Sequence, residues 1–525
     1  MPSLIVAVFY LEARLMVVAY IILILYVLSM VAITIYTKNR SKSVSDFLMA
    51  GKKGLNGWMS AFAYGTTYFS AVIFIGYAGK FGSAYQMAST WIGIGNAFLG
   101  SLIAWKVLAK RTKAMTHRLD TKTMPEFFEK RYNSKNIKLF SAIIIFIFLI
   151  PYSVSVYNGL SNLFEMVFGI EGWIIMLALA GITALYLFFG GYFATALSDF
   201  IQGIIMLIGV VLMVIFFLKS EYVEWDISSL NWFTFGSENK GIFGDTVSLI
   251  SLILLTSFGV WALPQTIHKY HTVRDDKAIN QGMIVSTIFA LIIGFSAYFV
   301  GGLSQVDGFA NHLNGVGSDD IVPTMLKLLG QPWLLGLIAV LILSASMSTL
   351  SSVSLSSASV VAIDLYKGFI DKKANDKKVN TFMRILCLIF IIISVVLAIL
   401  NDLYNISAIA YLMGLSWGTL AGCFIGPYVL GLLWKKVTKT AVWVSMATSL
   451  VLTIVLIFVF GYVKNGCAGT FGVILQTGIN CSPLIGVICM ASSIILTFVI
   501  SLFTKQLESS VIERAFNDEE NNQIA

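Results

Sequence analysis

A run of about 20 apolar residues is the length at which a helix crosses the hydrocarbon of a bilayer, and this chain repeats such runs from near its first residue to near its last. Thirteen helices are predicted, at 15–36, 56–79, 86–109, 139–164, 172–190, 195–218, 246–268, 279–303, 333–363, 381–400, 405–433, 440–463 and 484–504. Charged residues make up 12% of the chain, against about 25% in soluble domains. The fold class is therefore all-α integral membrane. The first run lacks a small-residue cleavage site behind a short apolar stretch, so it is expected to be a retained helix and not a removed targeting segment.

Lys and Arg collect in cytoplasmic loops of membrane proteins, which sets an expected orientation. With the N-terminus outside and the C-terminus cytoplasmic, the loops 37–55, 106–138, 269–277, 367–384 and 435–439 and the tail hold 29 of the 35 Lys and Arg. The segments left outside include 219–245, with Glu221, Glu224, Asp226, Glu238 and Asp245 against Lys219 and Lys240, and 301–332, with Asp307, Asp319 and Asp320. A net charge of +8 then follows from topology, and no nucleic-acid partner is needed to explain it. Of the five cysteines, Cys387, Cys423 and Cys489 fall in predicted helices as small apolar residues. Cys467 and Cys481 share an outside loop, where a disulfide and two free thiols are equally open readings.

No soluble domain is visible. Function is expected inside the bundle, where Gly and Pro interrupt several helices. The helices at 56–79 and 246–268 each open a block of five, and each carries an irregular stretch. Interrupted helices at corresponding positions of two halves point to a midplane substrate and ion site in an inverted-repeat transporter; a packing kink at each place is the rival reading.

The stretch SASMSTLSSVSLSSAS at 344–359 places ten Ser or Thr among sixteen residues of an apolar helix. Ala345, Ser348, Thr349 and Ser352 share one helical face. Hydroxyl and carbonyl oxygens are hard, neutral ligands of the kind that replace the water of a small cation, although serines also serve close helix packing. A second feature is Asp199, in GGYFATALSDFIQG. A carboxylate inside an apolar span costs a few kcal/mol and marks an ion or proton path.

Taken together, NGWMSAFAYGTTYFSAVIFIG, GGYFATALSDFIQG, SMSTLSS followed by AIDLYKG, and WGTLAGCFIGPYVLGLLWKK resemble the sodium:solute symporter family of bacterial proline, galactose and sialic-acid symporters, over about residues 15–504. The resemblance implies a LeuT-type fold with a 5+5 inverted repeat, one helix before it and two after. The expected divisions are 1–55, an extra N-terminal helix and cytoplasmic loop; 56–218, the first repeat; 219–245, an extracellular loop; 246–433, the second repeat; and 434–525, two C-terminal helices and a cytoplasmic tail. It further implies a main sodium site from the carbonyls of Thr66, Phe69 and Ala345 and the hydroxyls of Ser348 and Thr349. A second sodium would sit on Asp199, Ser351 and Ser352, and two ions are expected. Substrate positions carried over are Ser70, Gln86, Tyr152, Thr256 and Trp261, with Gln86 ranked first.

Departures bear on the solute. Proline symporters have an aspartate where this chain has Tyr68, and the sialic-acid symporter has an arginine where it has Tyr152. No Lys or Arg is evident deep in the second to fourth helices. A sugar-like solute, sialic acid included, is accordingly ranked ahead of proline-type amino acids and monocarboxylates. The expected protein is a sodium-coupled importer acting as a monomer in the plasma membrane, with lipid and a small solute as its partners. A proton-coupled carrier titrating Asp199 and a solute-sensing membrane protein are the alternatives. An enzyme is not expected, since His117, His268, His271 and His312 come with no metal or nucleophile motif.

Overall fold

The structure, a computed structural model, describes residues 2–37, 43–49, 55–233, 242–404 and 408–516, without the side chains of residues 2–16, 46 and 49. Glu238 and Lys240 of the acidic loop, the first three residues of the helix expected at 405–433, and the last nine of the tail lie outside the described residues.

Among the described residues all regular structure is helical apart from one isolated bridge between Leu55 and Val273. The N-terminal helix α1 is Pro2–Thr37. A broken helix follows, with α2 at Gly57–Tyr68 and α3 running through Val72–Tyr77 and Ala78–Tyr85. The next run, α4, joins Thr90–Gly95, Asn96–Ile103, Trp105–Ala109 and Lys110–Arg118. Then come α5 (Met124–Tyr132), α6 (Lys135–Phe168) and α7 (Gly172–Lys219). A second broken helix is α8 (Asp245–Phe258) with α9 (Pro264–His271), bent by 42°. The remaining long helices are α10 (Asp276–Gly302), α11 (Pro332–Ser359, continued by Val360–Ile370), α12 (Asp376–Tyr404), α13 (Ile409–Ile425, continued to Leu433), α14 (Lys439–Lys464) and α15 (Ser482–Phe503).

Ten helices among the described residues are long and apolar enough to cross a membrane, and the bent pair α8 and α9 makes an eleventh span. Within the described residues the predicted ranges fall largely on helix, with two pairs fused, so ten or eleven spans stand where thirteen are expected. One fused pair is the 47-residue run Val72–Arg118. The other is the 48-residue α7, which restarts at Gly191 with φ 61° and ψ −160°. At 1.5 Å per residue, 48 residues make about 70 Å of helix, over twice a hydrocarbon core. Gly191 supplies a left-handed backbone turn that a residue with a Cβ adopts only at a cost.

Burial is deepest in α11, where 94% of the apolar window is inside the protein. The serine-rich stretch is therefore a central helix walled by others, and small side chains let those walls approach. Close approach elsewhere has the same cause: a Cβ on Gly82 of α3 would come within 2.2 Å of the Gly301 backbone in α10. Cys467 and Cys481 are free thiols, and the Cys481 thiol donates to Thr477 O at 3.4 Å.

Candidate functional site

The two breaks arise from local chemistry. Asn56 caps α2 by accepting from the Met59 N–H at 2.9 Å. At the other end, Thr66 and Thr67 turn their hydroxyls back to the carbonyls of Phe62 and Ala63, and Phe69 leaves the helix at φ −96°, ψ 113°. The last carbonyls of a helix have no N–H ahead of them to accept from. In the second pair, the chain is extended at Leu263 and Pro264, which has no N–H to donate, opens α9.

One of those released carbonyls is met from across the bundle. The Thr349 hydroxyl of α11 donates to Thr66 O at 3.3 Å. Two oxygens that far apart can both lie about 2.4 Å from one cation at nearly a right angle, within the oxygen distances of a hard cation of this size. Phe69, at the break, and Ala345, one turn before Thr349 on α11, are both buried. Ser348, one residue before Thr349, donates to Asp199 Oδ1 at 2.7 Å. A hydroxyl that gives its proton to a carboxylate keeps its lone pairs for a metal, and the carboxylate makes it a better ligand.

Asp199 itself is fully buried on the second half of α7. Its other oxygen, Oδ2, lies 3.4 Å from the ammonium of Lys269 on α9. That ammonium also donates to Ser352 Oγ at 3.1 Å and lies 5.0 Å from the Tyr192 ring centroid. Ser352 Oγ is 3.1 Å from Thr67 Oγ1, so α2, α7, α9 and α11 meet at this one cluster. Ser351 donates to Ser348 O of its own helix at 2.8 Å. Lys269 was counted above among loop cations; it is instead 1% exposed, against a buried carboxylate. The signal in the sequence was its position, five residues past Pro264, inside the helix that restarts there.

The predicted solute residues scatter. Thr256 lines a cavity of about 20 Å³ enclosed by Phe69, Tyr77, Asn96, Tyr298 and Trp417 among others. Tyr152 packs edge-on against Trp417, with ring centroids 5.6 Å apart. Ser70 accepts from the Val72 N–H at 3.3 Å and so helps start α3. Gln86 and Trp261 lie off the cavity: Gln86 Oε1 accepts from the Asn231 N–H at 3.0 Å, and Trp261 Nε1 donates to Leu99 O at 2.9 Å. The same cavity brings in residues that the sequence reading passed over. Tyr77 Oη, Asn96 Oδ1 and Trp417 Nε1 are buried without a hydrogen-bond partner. Asn96 Nδ2 donates to Thr256 O at 2.7 Å, which aims the amide.

The cavity is not symmetric about the bundle. On the side of the acidic loops a vestibule of about 860 Å³ opens between Lys80, Tyr85, Ser248, Gln305 and Tyr411. On the opposite side the gap near Pro264, His268 and Ser356 is about 10 Å³. Beside it Lys138 pairs with Glu129 at 2.9 Å and Asp364 at 3.5 Å, while Thr123 Oγ1 donates to Asp364 at 2.9 Å. At the vestibule rim, Asp319 Oδ2 accepts from the Ile409 N–H at 3.0 Å and so caps α13. Burial pushes the Asp319 carboxyl above its ordinary range, opposed by that N–H and by Lys80.

An all-helical bundle with two broken helices around a buried polar cluster, open to one side, is the build of a LeuT-type secondary transporter. Among solved structures, a Na+-coupled sialic acid symporter in a substrate-bound outward-open state superposes with a TM-score of 0.72 at 18% identity, covering 94% of this chain and 99% of that one. A nucleobase-cation-symport-1 transporter, Mhp1, gives 0.50 at 14% identity over 90% and 98%. The chain belongs to the sodium:solute symporter family, whose model matches residues 47–449. Members are membrane transporters and not enzymes. Relatives include the osmoregulated proline transporter OpuE of Bacillus subtilis, 28% identical over 81% of this chain and 85% of that protein. Sodium/proline symporter 2 of Staphylococcus saprophyticus is 29% identical over 83% and 85%.

Proposed function

We propose that this protein imports a small zwitterionic amino acid of the proline type with sodium, by alternating access. The observation that carries the sodium half is the Thr349 hydroxyl reaching the carbonyl freed at the α2 break. Sodium is bound by the carbonyls of Thr66, Phe69 and Ala345 and the hydroxyls of Ser348 and Thr349. Binding there fastens the loose end of α2 to the fixed helix α11, which sets Phe69 in the wall of the solute cavity.

For the solute, the proline-type reading replaces the sugar-like one ranked first from the sequence. The named relatives favour it; the cavity, with room for about one water at about 20 Å³, takes any solute only by displacing side chains. The partnerless groups also suit a zwitterion. Tyr77 Oη and Trp417 Nε1 can donate to a carboxylate, and Asn96 Oδ1 can accept from an ammonium. Aromatic faces add cation–π attraction to that ammonium.

The vestibule faces outward and the basic loops face the cytoplasm of a cell whose plasma membrane holds the protein. Residues 56–218 and 246–433 form the two repeats, and one chain contains the whole pathway. Each sodium entering a negative interior gains about 2.3 kcal/mol per 100 mV. Low cytoplasmic sodium empties the site once the Lys138–Asp364 side opens.

Uptake of labelled proline into proteoliposomes, under sodium and proton gradients imposed separately, tests this reading. Accumulation with an inward sodium gradient alone is expected. Accumulation with protons and no sodium removes the sodium assignment; sodium binding without proline uptake removes the solute.

A further inference from the structure

We propose that the Lys269 ammonium is a tethered cation standing in the place of a second sodium, so that one sodium ion accompanies each solute. The proposal rests on the sodium site described above and concerns only how many ions use it. Asp199 is the one carboxylate in the cluster, and both of its oxygens are engaged, Oδ1 by Ser348 and Oδ2 by Lys269. A second mobile sodium would need that carboxylate and the hydroxyl of Ser352, and Lys269 bonds both. Thr67, the next hydroxyl in reach, is bonded to Ser352 in turn.

Charge makes the same argument as geometry. A lone carboxylate buried at this depth requires a countercharge. Lys269 is 1% and Asp199 0% exposed, so their pair is neutral and does not depend on ions from either side. A sodium ion brought to Asp199 would add a second positive charge against an ammonium that is itself buried. The main site is untouched by this, since its ligands are neutral and Ser348 can donate to Asp199 while its lone pairs face the ion.

A tether also changes what the site does in the cycle. A sodium ion arrives and leaves, and its electrochemical gradient contributes to accumulation. Lys269 stays on α9, so the contact ties the second broken helix to α7 and α11 without transporting charge. Accumulation is then set by one sodium ion per solute.

Sodium binding to the purified full-length protein, counted with labelled sodium, tests this without reference to the solute. One ion per wild-type molecule is expected. Lys269→Gln frees Asp199 and Ser352 and adds an amide oxygen, so the count should rise to two. In Lys269→Gln with Asp199→Asn the carboxylate is gone as well, and the count should return to one. Two ions on the wild type, or one on Lys269→Gln, overturns the proposal, whereas none on the wild type overturns the sodium reading beneath it. Should the single variant not fold, the ratio of charge to proline moved by wild-type proteoliposomes decides: one is expected, and two refutes.

Discussion

Replacing Thr349 by Val removes one oxygen and almost no volume. The hydroxyl lost is the one that reaches Thr66 O at 3.3 Å from a fully buried position. A hydrogen bond or dipole to a charged group is worth about 1.5–3 kcal/mol, and each 1.4 kcal/mol is tenfold in affinity. The sodium concentration for half-maximal uptake should therefore rise by about 10- to 100-fold. Loss of the interhelical bond itself costs about 0.6 kcal/mol, too little to mimic that shift through stability. Ser346→Ala is the control, because Ser346 donates only to Ile342 O of its own helix at 2.7 Å. The assay is labelled-proline uptake against external sodium in proteoliposomes. Linkage adds an internal check: whatever factor proline contributes to sodium affinity, sodium must contribute to proline affinity. Unchanged sodium dependence in Thr349→Val, or an equal shift in Ser346→Ala, would refute the assignment of this hydroxyl.

Three further outcomes are expected. Asp199→Asn leaves the buried Lys269 ammonium without its countercharge, at a cost of about 3–5 kcal/mol read as lost thermal stability in detergent; adding Lys269→Met should recover most of it, and a double variant as unstable as the single one contradicts the pairing. Tyr77→Phe removes a hydroxyl that has no protein partner, so thermal stability should hold while KM for solute rises by about 2- to 10-fold, one neutral hydrogen bond; an unchanged KM removes Tyr77 from the solute site. At the rim, the raised Asp319 carboxyl holds its proton more tightly folded than unfolded, so its contribution is full below the ordinary carboxylate range near pH 4 and is lost as pH rises through the raised value. Thermal unfolding across that range should show this decline flattened in Asp319→Asn, and superimposable curves would exclude it.

Much of the architecture was legible because its cause is local. Apolar length places helices, and Pro264 marks the second break through its missing N–H, whereas the first, at Phe69, carries no Gly or Pro to mark it. The hydroxyl-rich face of α11 and the carboxylate of Asp199 stood out for a similar reason, as polar groups where hydrocarbon is the rule. The direction of Gln86 was not legible from its place just before α4: its φ is 50°, and its side chain meets the loop at Asn231. The cavity aromatics were invisible, since nothing in the pattern separates Tyr77 or Trp417 from the other 20 tyrosines and 10 tryptophans.

Sequence alone determined that the chain is a bundle of apolar helices with two interruptions and oxygens gathered on one buried face, because those properties depend on residues within a few turns of each other. Only tertiary structure decided which oxygens meet and which cation answers Asp199. Lys269 lies 70 residues from Asp199 in the chain and looks like a loop charge until the 42° bend of the second broken helix carries it inward. Charge compensation in a membrane interior is a matter of distance in space, and a one-dimensional pattern holds no measure of that.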